Sequence, residues 1–118
     1  MTVRHDNFTL PRPGQAKNLG TVGATVLHFD METLFGAGWN RGQMFTLSCT
    51  NAFYALVSDS ASSDIAPASV DGSSDEPAGP FAANEHYRFF FQDVCRYLHV
   101  VRVSADGNMR IWNSSAMR

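Results

Sequence analysis

Six short runs of β-type residues, 22–29, 43–49, 52–58, 86–92, 97–104 and 108–113, divide this chain, and turn-forming residues close each of them. No helical period lasts long enough between them to compete. Phe45, Leu47 and Cys49 alternate with Met44, Thr46 and Ser48, the period-two pattern of a strand with one face buried. Phe53, Ala55 and Val57 alternate with the apolar Tyr54 and Leu56, which predicts a central strand covered on both faces. Tyr87, Phe89 and Phe91 repeat the pattern opposite Arg88, and a second layer or a partner surface has to cover Phe90. Asp106-Gly107 between two alternating runs predicts a tight hairpin that fixes their register. Met31, Leu34 and Phe35 predict one helical turn capped by Asp30 and broken at Gly36. The expected fold is therefore all-β: an antiparallel β-sandwich or small barrel of jelly-roll or immunoglobulin-like type.

At 118 residues the chain suits one domain with its own core. Residues 1–20 hold Pro11, Pro13, Gly14 and Gly20 with no apolar period, which predicts an extended N-terminal arm in front of a sandwich over 21–118. Fully extended, such an arm reaches at most about 65 Å, enough to dock on a neighbour's surface; the plainer alternative is a frayed terminus. Residues 58–84 predict a long loop carrying Asp59, Asp64, Asp71, Asp75 and Glu76 with no basic residue. The remainder keeps nine basic against six acidic groups, an acidic loop on a mildly basic body. Such a loop is either a solvated tip or an acidic docking site.

A net charge of -2 gives no sign of a polyanion binder, so nucleic acid is not an expected partner. No apolar run approaches a membrane span, and Arg4, His5 and Asp6 stand where a signal peptide needs an apolar stretch. The expectation is a protein made and kept in the cytosol. Lys17 is the only lysine among the basic residues, and arginine suits planar ion pairs at protein interfaces.

Searching the sequence for reaction chemistry gives little. The acidic loop lacks the calcium-loop spacing, and His5, His28, His86 and His99 are scattered without a metal-binding pattern, so no metal or cofactor is expected. His28-Phe29-Asp30 sets a histidine two residues from a carboxylate and reads as structural. Cys49 and Cys95 are too few for a disulfide framework. Cys49 with His86 or His99 and Asp93 would make a nucleophile, base and orienting acid, the set of a small cysteine hydrolase. Cys49 lies on the apolar face of its run, however, which predicts a core thiol. The glycines at 36, 38 and 42 lack the phosphate-loop lysine and read as a turn. Trp39, Trp112, Tyr54, Tyr87 and Tyr97 offer rings for a sugar platform, or for the core or a subunit interface. Arg88, Arg96, Arg102 and Arg110 predict a basic strip, with Arg102 and Arg110 close across the Asp106-Gly107 hairpin.

Three stretches carry a family resemblance. The run 45–58 is a strand that breaks at Cys49-Thr50-Asn51 and resumes with small and aromatic residues. The run 79–89, Gly-Pro-Phe-Ala-Ala-Asn-Glu-His-Tyr-Arg-Phe, follows the acidic loop and places Asn84 where glycine is usual; asparagine tolerates the same positive φ. The run 97–112 closes the chain. Together they resemble the small β-sandwich virion proteins of tailed bacteriophages that decorate or cement the capsid. The resemblance implies a non-enzymatic structural protein on the capsid exterior, present in host cytoplasm before assembly. It further implies the major capsid protein as partner and a homo-oligomer, with a trimer favoured. On residue type, Arg4, Phe8, Leu10, Arg12 and Lys17 of the arm are expected to face the capsid, and Trp39, Phe90 and Trp112 to form a subunit seam. The alternative within the same resemblance is a neck, tail or fibre component that binds a host glycan or receptor.

Overall fold

The computed structural model describes residues 15–37, 39, 44–61, 77–91 and 95–113. Eight strands and one helical turn follow in order: β1 (Ala16–Val22), β2 (Leu27–Asp30), α1 (Met31–Phe35), β3 (Met44–Cys49), β4 (Phe53–Ser58), β5 (Ala78–Phe81), β6 (Tyr87–Phe90), β7 (Tyr97–Arg102) and β8 (Gly107–Asn113). They form two four-stranded antiparallel sheets, β1-β8-β3-β6 and β2-β7-β4-β5. Pairing runs β1 with β8, β2 with β7, β3 with β6 and β4 with β5, as though one long hairpin had been rolled up. Further ladders between β3 and β8 and between β4 and β7 then close each sheet. That order is the eight-stranded jelly roll; the immunoglobulin-like alternative, which groups its strands differently, does not apply.

Alternation decides which side chains meet between the layers. Phe45, Leu47 and Cys49 of β3 and Met109 and Ile111 of β8 are buried in one sheet, facing Phe53, Leu98 and Val100 of the other. One end of the sandwich is plugged by rings: Phe45 lies 5.1 Å from Phe35, 6.0 Å from Trp39 and 5.6 Å from Phe91 between centroids. Trp39 is buried there, edge-on to Phe91, so it is a core residue and corrects the expectation of a subunit seam. Its ring packs between Phe45 of β3 and Phe91, where a large flat side chain adds to the buried apolar area. As expected, Asp30 caps α1, its carboxylate accepting from the Glu32 N–H, and Gly36 ends the turn at φ 89°. Asn84 takes φ 59°, the left-handed conformation that glycine adopts readily.

Three expectations change. Ala16 to Gly20 belong to β1, so the arm reading does not hold over those residues, and residues 1–14 lie outside the described residues. The loop expected over 58–84 contains the end of β4 and the whole of β5; 62–76 lie outside the described residues. Pro80 suits β5 because an edge strand can spare one backbone donor.

The third change concerns the hairpin. β7 and β8 do not pair; residues 103–106 carry the chain from one sheet to the other. Neither Asp106 nor Gly107 has a positive φ, so the pair does not make the expected turn. Instead the Asp106 carboxylate pairs with Arg102 and its carbonyl accepts from Asn51 Nδ2 at 2.6 Å. Gly107 is there for space: a Cβ on it would lie 2.7 Å from Asn51 N and 2.8 Å from Cys49 Sγ. Arg102 and Arg110 consequently sit on different sheets, not side by side. Gly107→Ala is expected to lower stability by about 1–3 kcal/mol through overpacking. Gly20→Ala, where the left-handed φ of 84° is strained but space is open, should cost about 1 kcal/mol. Urea midpoints check the order; Gly107→Ala indistinguishable from the parent would contradict this packing.

Candidate functional site

With the inner faces committed to the core, chemistry is left to the outer faces and the sheet edges. On the β1-β8-β3-β6 sheet, register sets Phe90 opposite Met44, Arg88 opposite Thr46, Thr46 opposite Trp112, and Ser48 opposite Arg110. Thr46 is fully buried in this row, while Phe90 is 58% exposed at the edge. The His86 ring meets Trp112 edge-on, with centroids 5.4 Å apart. None of the outward-facing strand residues described on this sheet is acidic, so the face combines aromatic and basic character.

The outer face of the β2-β7-β4-β5 sheet carries a hydrogen-bonded line. His28 on β2 is directly opposite His99 on β7, and their Nδ1 atoms are 2.7 Å apart. His99 Nε2 lies 2.7 Å from Ser58 Oγ on β4. His99 is fully buried although its neighbours Leu98 and Val100 are the ones that face the core. The Ser58 hydroxyl donates to the Ser60 carbonyl at 3.0 Å and accepts the Ser60 N–H at 3.2 Å. A hydroxyl has one proton and two acceptor sites, so its remaining place accepts from His99 Nε2–H. This bond network assigns Nδ1 of His99 as acceptor and Nδ1 of His28 as donor. A serine nucleophile needs its proton aimed at the base; the Ser58 proton is instead directed at the Ser60 carbonyl.

Next to it, Asp30 ties three elements together. Arg96 Nε and Nη2 donate to its two carboxylate oxygens at 2.7 and 2.6 Å, a bidentate fork. Thr33 Oγ1 donates to Oδ2 at 3.1 Å, and Met31 N–H donates to the Arg96 carbonyl at 3.0 Å. The Arg96 fork, helped by Thr33 and the Glu32 N–H, holds the Asp30 carboxyl well below its ordinary range.

A cleft of about 530 Å³ opens between the edge strands β5 and β6, lined chiefly by Leu47, Phe53, Ala55, Phe81, Tyr87 and Phe89. It is apolar; the Tyr87 hydroxyl is occupied in accepting the Ala82 N–H at 2.8 Å. Among the described residues no cluster of three or more His, Cys, Asp or Glu could hold a metal ion, and no helix is long and apolar enough to cross a membrane.

Of the residues singled out in the sequence, Arg4, Phe8, Leu10 and Arg12 lie outside the described residues, as does Asp93. Lys17 is on β1 opposite Ile111. Phe90 and Trp112 share one outer face, whereas Trp39 is in the core. Cys49 is a buried free thiol, and the histidines proposed as its base are elsewhere: His86 is beside Trp112, and His99 bonds to His28 and Ser58. The four arginines separate, Arg96 and Arg102 into ion pairs and Arg88 and Arg110 onto the outer face with Trp112. The His28–His99–Ser58 line escaped the sequence reading because only the β2-β7-β4 register brings those positions together.

Asp30→Ala is expected to lower stability by about 1 kcal/mol at pH 7 through loss of the helix cap alone. Because the folded carboxyl is lowered, its contribution is complete above the ordinary value of 3.8 and disappears as the pH falls through the lowered one. The urea-midpoint gap between parent and variant should therefore stay constant from pH 7 to 5 and close in stronger acid; a gap that closes between pH 7 and 5 contradicts the assignment.

Searches against protein-family models, curated proteins and solved structures returned no match to this chain.

Proposed function

We propose that this jelly roll is a non-enzymatic structural protein of a tailed-phage virion, decorating the capsid exterior and bridging major capsid subunits as a homo-oligomer, with a trimer favoured. The observation that carries the reading is Phe90: a large apolar side chain, 58% exposed on edge strand β6, beside Arg88 and on the same face as Trp112. An aromatic anchor with arginine beside it is the composition of a protein–protein contact. The strand order also supports it, since jelly rolls recur in viral capsid domains, though they serve lectins and cupins as well. Asn84 with φ 59° is consistent with the glycine usual at that place in the decoration proteins. Burial of Trp39 takes one ring away from a sugar platform, which weighs against the glycan-binding alternative.

Adhesion of this kind works through many copies, each burying modest area, so that the shell gains from avidity. Phe90 and Trp112 are assigned to the seam between copies and residues 1–14 to the capsid. Co-sedimentation with empty capsids of the encoding phage tests this, using the full chain, a chain lacking residues 1–14, which leaves β1 intact, and Phe90→Ser. The full chain should pellet with the shells, and each altered form should bind at least about tenfold more weakly. A full chain that stays in the supernatant overturns the reading, and a shortened chain that binds as well as the parent removes the arm from it.

A further inference from the structure

We propose that the outer edge of β6, with the apolar cleft beneath it, docks an extended peptide segment of a partner protein, apolar at alternate positions with carboxylates between them. The inference stands on the fold and does not depend on the capsid reading. The edge lies in the plane of its sheet, whereas the seam proposed above uses the outer face.

Two unlike needs meet at this place. Among the described residues β6 is laddered only to β3. Alternate residues of an antiparallel strand turn their N–H and C=O groups to opposite sides, so half of β6 offers its backbone away from β3. Beneath it the cleft of about 530 Å³ runs inward to Leu47, Phe53, Val57 and Leu98, a volume within the range of binding pockets. Such an edge accepts another strand, and such a cleft accepts apolar side chains.

The two strands flanking the cleft are unequally defended. β5 carries Pro80, which has no N–H to give, and it pairs with β4 through a register that shifts between Phe53 and Ala55. β6 has neither proline nor glycine, and its pairs with β3 run unbroken from Leu47 and Tyr87 to Met44 and Phe90. The incoming strand therefore adds to β6.

Only a polypeptide with unpacked side chains meets both needs. An apolar small molecule would fill the cleft and leave the backbone groups of the edge unmet. A second copy would pair edge to edge, but its own Tyr87 and Phe89 are packed against its own core, so both clefts would stay empty. An added segment instead continues the alternation of β6. Every other side chain falls in line with Tyr87 and Phe89 and enters the apolar cleft. Those between fall in line with Arg88 and Phe90, on a face that bears Arg88 and Arg110 and no acidic residue among the outward-facing strand residues described. Carboxylates complement that side.

Fluorescence anisotropy on the full chain, with a blocked and labelled hexapeptide of alternating leucine and aspartate, tests this. Binding should saturate and be at least about tenfold tighter than for the same peptide with lysine for aspartate, or with its backbone nitrogens methylated. The chain's net charge of -2 would by itself favour the lysine peptide. Ala55→Trp, which fills the cleft from β4, should weaken binding by about tenfold. Arg88→Glu, an exposed change that leaves the core intact, should reverse the preference between aspartate and lysine. Amide exchange within β6 should slow when the peptide is added. Saturation not reached by about 1 mM, a methylated peptide or a folded Ala55→Trp chain that binds like the parent, or an unchanged preference in Arg88→Glu would each overturn the site. Tighter peptide binding by a chain lacking residues 1–14 would give the edge to the chain's own arm, and peptide that dissociates a self-associated form would give it to a second copy; either overturns the partner.

Discussion

Burial of alternate side chains between the two sheets is the constraint from which the rest of this molecule follows. Phe45, Leu47, Met109 and Ile111 on one inner face and Phe53, Leu98 and Val100 on the other are withdrawn from water, each contributing roughly 1.5–3 kcal/mol against the entropy of ordering the chain. A strand has only two faces, so fixing one determines the other. Once Leu98 and Val100 point inward, His99 between them must point outward, and once Leu47 is inward, Thr46 and Ser48 lie on the far side with Arg88, Arg110 and Trp112. The polar line and the aromatic-basic face are thus consequences of the core register.

Legibility in the sequence divides along the same boundary. Alternation in 44–49 and 53–58 is local and strong, and it led directly to strands and to an all-β sandwich. The cap at Asp30 and the backbone of Asn84 were also readable, because each depends on neighbours within a few residues. What failed was pairing between distant segments. Asp106-Gly107 has the composition of a tight turn, yet the glycine is required by its closeness to Cys49 and Asn51, more than fifty positions away in sequence. Trp39 illustrates the same limit from the opposite side: a lone aromatic among glycines has no periodicity to mark it as buried, and its place beside Phe45 and Phe91 follows from the closed end of the roll. The histidine line joins residues 71 and 41 positions apart, and no local pattern marks such a pair.

The outer faces of the two sheets differ in what they carry. The β2-β7-β4-β5 sheet is cross-linked on its outside by the Ser58–His99–His28 line and by Asp30–Arg96, both of which fasten the short strand β2. These fastenings differ in chemistry, one being a hydrogen-bonded chain of two rings and a hydroxyl and the other an ion pair whose carboxylate remains ionised well into acid. The opposite sheet has Phe90 at its edge and Trp112 and Arg110 in its middle strand, the grouping expected where another protein is to be met. The cross-links and the exposed aromatic-basic grouping thus lie on opposite sides of the roll.

Pairing of β1 with β8 has a geometric consequence for the whole chain. Gln15 accepts the Asn113 amide at 2.8 Å, so the polypeptide enters and leaves the roll at one corner. A short bridge there would join the two ends into a ring without disturbing either sheet, and new termini could be cut at another surface connection. Cargo fused before Gln15 or after Asn113 would be presented from the same vertex, which makes that corner a natural point for display.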